Sequence, residues 1–159
     1  MMVMTDNIVT KDRLWKNKNR FREITRLQNQ IDGIDAKLSG PNGMKLNDMP
    51  RSQNPADMLS ILVGEKLKLN EKLNKILPVY ESENKAIIQS FKIMLEYPQP
   101  DRGPLMTTYV DILRWFYVEN KDWDTISELL NMDKDDNNQK RKLFRWHGKA
   151  LQLLLKCQR

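Results

Sequence analysis

The chain has 159 residues, a net charge of +6 and a sequence pI near 9.4, and 30% of its residues are charged. A mean hydropathy of -0.68, with no apolar run reaching the roughly 18 residues of a membrane span, excludes a transmembrane helix and suits soluble helices with narrow apolar seams. One thiol, Cys157, excludes an internal disulfide and a thiolate zinc site, and scarce glycine without β-branched runs speaks against a sheet, so the expected class is all-α.

Residues from about Thr10 to Leu38 predict one helix, because Ile24, Leu27, Ile31, Ile34 and Leu38 recur in steps of three and four. Ser39-Gly40-Pro41-Asn42-Gly43 stops it, and the polar stretch near 39–54 reads as a loop. Asn54 as N-cap and Pro55 at the first helical position restart a helix. Its seam runs Leu59, Leu62, Lys66, Leu69, Leu73, Ile76, Tyr80, Asn84, Ile87, Phe91 and Met94, with only Lys66 and Asn84 polar. Pro78 falls inside this pattern and costs about 3 kcal/mol in a helix interior. The register survives across it, which favours a kink over a second helix starting at the proline. Paired, the two seams make a helical hairpin within a chain or a bundle between chains.

Tyr97-Pro98-Gln99-Pro100-Asp101-Arg102-Gly103-Pro104 is the strongest break in the chain. The expected organisation is therefore a long-helix region over 1–97 and a three-helix domain over 98–159. The first of those helices spans about Leu105 to Val118, with Tyr109, Ile112, Leu113 and Phe116 inward. A short helix follows at about Asp122 to Leu130, capped by Asp122, with Trp123, Ile126, Leu129 and Leu130 toward the core. The last runs from near Asp136–Asn138 to about Lys156, placing Leu143, Trp146 or His147, Ala150, Leu151 and Leu154 on one face.

Charge is segregated along this part of the chain. From Asn137 onward every charged side chain is positive: Lys140, Arg141, Lys142, Arg145, Lys149, Lys156 and Arg159. Immediately upstream, Glu119, Asp122, Asp124, Glu128, Asp133, Asp135 and Asp136 form an acidic block. A helix with one packed face and one acid-free basic face suits the major groove of double-stranded DNA. Asn138, Gln139, Arg141, Lys142 and Arg145 are the residue types that read base edges, and Lys149 is placed to grip phosphate. Thr125, on the supporting helix, is a further candidate DNA contact. The helix macrodipole alone accounts for Lys149 and Lys156, but not for the lack of any carboxylate on the whole helix. A second basic stretch, from Lys11 through Arg13, Lys16, Lys18, Arg20 and Arg22 to Arg26, is either a solvated face or a further DNA contact.

Three segments carry a family resemblance: Tyr109 to Tyr117, Trp123-Asp124-Thr125-Ile126, and Leu143-Phe144-Arg145-Trp146-His147-Gly148-Lys149-Ala150-Leu151-Gln152. They resemble the small phage regulators of the RinA/ArpU type, whose C-terminal domain is similar to region 4 of bacterial sigma factors. The stretch around Met49-Pro50-Arg51-Ser52 and Asp57-Met58 is similar to their N-terminal half. The resemblance implies a helix-turn-helix that binds phage promoters, commonly of late genes, with contact to host RNA polymerase. It places Arg145 and Lys149 in the recognition helix and Trp123 and Ile126 in the supporting one. The segment Met132 to Gln139 is about six residues longer than the turn of that family, either as a long turn with Asp136 capping the last helix or as an extension of that helix. His147 is expected to pack or hydrogen-bond at the helix junction, and close helix packing or close backbone approach is the expected reason for Gly148, which costs a helix about 1 kcal/mol.

Catalysis has no support in the pattern. The only histidine, His147, is read as a packing residue, so no Ser/His/Asp set is expected; there is no glycine-rich phosphate loop, and Asp135-Asp136 reads as a solvated cap rather than a metal site. No enzyme activity and no cofactor are expected. With no signal-peptide core at its N-terminus, the chain is expected in the cytoplasm as a homo-oligomer. The competing function is a protein-interaction module that binds host polymerase or another host protein, including as an inhibitor of a host function, since polar seam positions such as Lys66 and Asn84 select partners and register.

Overall fold

The computed structural model describes residues 8–39 and 55–159. The loop expected near 39–54, Ser39 excepted, and the Asn54 cap lie outside the described residues. Among those residues every regular element is helical: α1 (Lys11–Ser39), α2 (Pro55–Glu96), α3 (Met106–Leu113), α4 (Trp123–Leu129) and α5 (Asn137–Gln158). A wider π turn over Arg114–Val118 continues α3 directly. The all-α expectation holds, and no described helix is long and apolar enough to cross a membrane.

The residues group into two compact units, one over 20–80 and the other over 8–19 together with 81–159. In the first, α1 and α2 run antiparallel: Phe21 meets Tyr80 with ring centroids 6.0 Å apart, and Asp35 meets Lys66 at 2.5 Å. Leu27, Ile31 and Leu73 are buried between them, flanked by Ile24, Leu69, Ile76 and Leu77. The hairpin thus forms within one chain. Lys66 interrupts the seam without strain because the Asp35 carboxylate lies opposite it. Helix α2 is continuous through Pro78, which is exposed, as is Asn74 one turn earlier. Water can therefore replace the backbone bond that the proline removes, and the helix tolerates it.

The second unit holds the larger core. Met106, Ile112 and Leu113 of α3, Ile126 of α4, and Leu143, Ala150 and Leu154 of α5 are fully buried. The three helices beyond the proline-rich break do not close this core alone. Val9 and Leu14, with Ile87, Phe91 and Met94 at the end of α2, are buried in the same cluster. The break itself is folded against the unit: Gln99 accepts a hydrogen bond from the Met106 amide at 2.8 Å, satisfying one of the orphan donors at the start of α3. Gly103 there adopts φ +89°, a left-handed conformation in which a side chain would also meet the Tyr109 hydroxyl at 2.9 Å.

Three polar contacts fasten the ends of α1 and α2 to this unit. The Arg13 guanidinium forks onto the Glu83 carboxylate at 2.6 and 3.1 Å, a bidentate geometry. The Gln158 side chain accepts from the Val9 amide and donates to the Val9 carbonyl, at 2.8 and 2.9 Å. Lys18, only 2% exposed, donates from Nζ to the Phe116 carbonyl at 2.5 Å while sitting 3.9 Å from the Phe116 ring centroid. A helix end leaves carbonyls without intrahelical partners, and an ammonium group is suited to satisfy one of them.

Candidate nucleic-acid interface

Helices α4 and α5 are joined by residues 130–136, and the facing terminus of each has an identifiable chemical cause. The Asp122 carboxylate accepts from the Thr125 amide at 2.7 Å and caps α4. That backbone bond also holds Asp122 below the ordinary carboxylate pKa. At the other end Asn131 turns left-handed (φ 57°), Met132 N–H bonds the Ser127 carbonyl and Asn131 N–H the Glu128 carbonyl. This pair of bonds is a Schellman stop, and asparagine tolerates its left-handed residue better than most side chains.

The segment from 132 to 136 is a long turn, not an extension of α5. Asp133 accepts from the Asp135 amide, and Asp136 caps α5 by accepting from the Asn138 amide, both at 2.9 Å. Lys134 lies 3.4 Å from Glu128. The acidic insertion is thus consumed in building its own turn and in starting α5.

Along α5, Asn138, Arg141, Arg145, Lys149, Gln152 and Lys156 follow three-four spacing on one exposed face. Asn138, Arg141 and Arg145 line an open cleft of about 590 Å³ together with Phe144. No described carboxylate lies within ion-pair distance of Arg141, Lys142, Arg145 or Lys149, whereas Lys140 reaches Asp124 at 4.0 Å. Lys142 is exposed and sits 4.9 Å over the Trp146 ring. Gln139 is turned away from the stripe, since its side-chain oxygen accepts from the Asp133 amide. Thr125 is half-buried behind the turn, its amide spent on the Asp122 cap. The structure therefore brings Asn138, Arg141, Arg145 and Lys149 onto one face, sets Lys142 beside it, and gives Gln139 and Thr125 local structural partners.

The basic stretch near the N-terminus is of a different kind. Arg13 pairs with Glu83, Lys16 with Asp12 and Arg26 with Glu23, and Lys18 is buried. Its charge is largely answered within the chain, unlike that of α5.

Packing behind the stripe is aromatic. Phe116 stacks on Trp123 with centroids 4.2 Å apart, and Trp123 meets Phe144 edge-on at 5.3 Å and His147 at 4.8 Å. His147 lies at the helix junction as expected, its Nε2 2.8 Å from the Tyr117 hydroxyl. Burial lowers the His147 pKa to about 4, helped by the charge of Lys11, and burial raises that of Tyr117. At neutral pH a protonated tyrosine thus shares a hydrogen bond with a neutral imidazole.

This arrangement has a pH signature. The unfolded chain carries histidine with a pKa near its ordinary 6.5, above the folded value of about 4, so the unfolded state binds more protons between those limits. Stability is expected to fall as pH drops from 7 to 5, by about 1 to 2 kcal/mol from this group after allowing for its partial exposure. Urea titrations of wild type and His147→Gln check this, and equal pH slopes for the two would contradict it.

Two expectations are corrected here. Leu129 does not face the core but is 47% exposed, because α4 ends there and the chain turns away. Gly148 is not explained by close packing, since a Cβ placed on it meets nothing within 4 Å. Gly148→Ala is accordingly expected to stabilise the protein by up to about 1 kcal/mol, the helix-propensity difference, measurable by thermal melting.

The half-exposed Phe144 escaped sequence reasoning, as did the burial of Leu153. The only sequence signal for Phe144 was an aromatic residue off the apolar seam of a basic helix. Among the described residues no cluster of three or more His, Cys, Asp or Glu side chains is arranged to hold a metal. No protein-family model, curated protein or solved structure matches this chain.

Proposed function

We propose that this protein is a sequence-specific double-stranded DNA-binding transcription regulator that presents α5 to the major groove. The observation that carries the reading is the face of α5: Asn138, Arg141, Arg145 and Lys149 aligned, with no described carboxylate answering the charge of Arg141, Arg145 or Lys149. Cations left unpaired on a rigid, capped helix are suited to phosphate and guanine contacts. The resemblance to RinA/ArpU-type regulators supports a more specific setting, with phage late promoters as the DNA and host RNA polymerase as a partner. The reading involves no catalytic step and no cofactor.

Homo-oligomerisation belongs to the same proposal, since regulators of this design pair two such helices across one site. Leu59, Val63 and Leu67, exposed at four-residue spacing on α2, supply an apolar row for it. The same row favours the second reading, a module that binds another protein through α2 and touches DNA weakly or not at all.

Titrating duplex DNA at increasing salt separates the two. Purified protein is offered fragments from around its own gene and random duplex of equal length. A regulator retains one fragment at physiological salt after random duplex has been released. Binding to both that disappears together as salt rises would leave a merely basic surface and make the protein partner the better reading.

A further inference from the structure

We infer that Phe144 is a specificity-determining residue that contacts the 5-methyl group of a thymine, between base contacts made by Arg141 and Arg145. The inference rests on the DNA-binding reading of α5 and deepens it.

Phe144 is 47% exposed although polar side chains surround it on that side of the helix. It shares the 590 Å³ cleft with Asn138, Arg141 and Arg145, the groups suited to hydrogen-bond base edges. Its ring is held by an aromatic ladder in which Phe116 stacks on Trp123 and Trp123 meets Phe144 at 90°. A ring so fixed loses little freedom on binding. The core does not need its outer face, which stays open to solvent. In the major groove the only apolar feature of a base edge is the thymine 5-methyl, and a phenylalanine is one of the side chains that contact it. The charge around the cleft favours nucleic acid over an apolar protein surface, because docking the latter would desolvate Arg141 and Arg145 with no described carboxylate to receive them.

The probe is the tightest-binding duplex selected from a random pool by the full-length protein. Each thymine is replaced in turn by deoxyuridine, which keeps base pairing and removes only the methyl. At one or two positions wild type is expected to lose about three- to fivefold in affinity, as for one buried methyl. Phe144→Ala and the bulkier Phe144→Leu are compared on the same duplexes, with thermal melting to show that each is folded. Phe144→Ala should bind the thymine and uracil duplexes equally, and Phe144→Leu should recover part of the difference. A flat uracil scan in wild type overturns the inference while leaving DNA binding by α5 intact, provided Arg145→Glu still abolishes it. If no duplex is selected, or Arg145→Glu binds as wild type does, the inference and the reading beneath it both fall.

Discussion

Arg145→Glu is expected to lower affinity for duplex DNA by two orders of magnitude or more while leaving helix content and melting temperature near wild type. Arg145 is exposed, lies in the middle of the α5 stripe and lines its cleft, and no described carboxylate holds it in place. The fold therefore loses little on its replacement, as for most surface positions, within about 0.5 kcal/mol. The complex loses a great deal, because a guanidinium contact disappears and a carboxylate is set against phosphate. Losing one partner of a desolvated charge pair costs about 2–5 kcal/mol, or about thirtyfold to several thousandfold. Two further charge changes calibrate the result. Lys140→Ala removes a cation already close to Asp124 and should weaken binding far less. Arg22→Glu alters an exposed cation of the N-terminal basic stretch and should leave affinity within a factor of a few. Fluorescence anisotropy with a labelled duplex at fixed salt measures all three. Equal losses for the three variants would show that total charge, rather than the α5 face, drives binding.

Lys18→Ala is expected to be the most destabilising replacement of any lysine in the described chain, by about 2–4 kcal/mol in urea unfolding followed by tryptophan fluorescence. Two losses combine. The Phe116 carbonyl gives up the donor that reaches it at 2.5 Å, and the volume of a fully buried four-carbon stem becomes a cavity. The ammonium also leaves the face of the Phe116 ring, 3.9 Å away, where a desolvated cation gains most. Lys18→Met separates these terms, because methionine refills much of the space without donating a hydrogen bond. It should fall between wild type and Lys18→Ala, with the shortfall from wild type reporting the amine. If Lys18→Ala unfolded within about 0.5 kcal/mol of wild type, as an exposed lysine would, this anchoring of the α1 terminus would have to be abandoned. DNA affinity of folded Lys18→Ala should change little at low temperature, since Lys18 lies behind the π turn and not on the α5 face.

Much of the architecture was legible because it rests on local rules. Three-four spacing marked both long helices and their facing seams, and ten of the eleven seam positions named on α2 are at least partly buried, Leu59 alone being exposed. Asp122 was readable as an N-cap, and Asp136 as one of two alternatives, because a carboxylate before a helical run satisfies orphan amides wherever it occurs. The chain-internal hairpin was not readable, since the same seams serve equally for a dimer. Nor was it visible that residues 8–19 and the end of α2 complete the C-terminal core, because apolar residues such as Leu14 and Phe91 carry no label for the surface they bury against.

The site divides along the same line. Sequence alone decided which helix is basic and that Arg141, Arg145 and Lys149 share a face, because helical periodicity is a property of the chain itself; the start of that helix after Asp136 was one of two alternatives until the structure chose it. Only the tertiary structure decided which of the chain's cations stay unanswered. Arg13 finds the Glu83 carboxylate, Lys140 approaches Asp124 and Lys18 is drawn into the core, all through contacts between residues distant in the chain and brought together by folding. Charge listed along a sequence says nothing of such pairings, because an ion pair depends on distance in space, and that distance is set by the packing of apolar surfaces elsewhere in the chain.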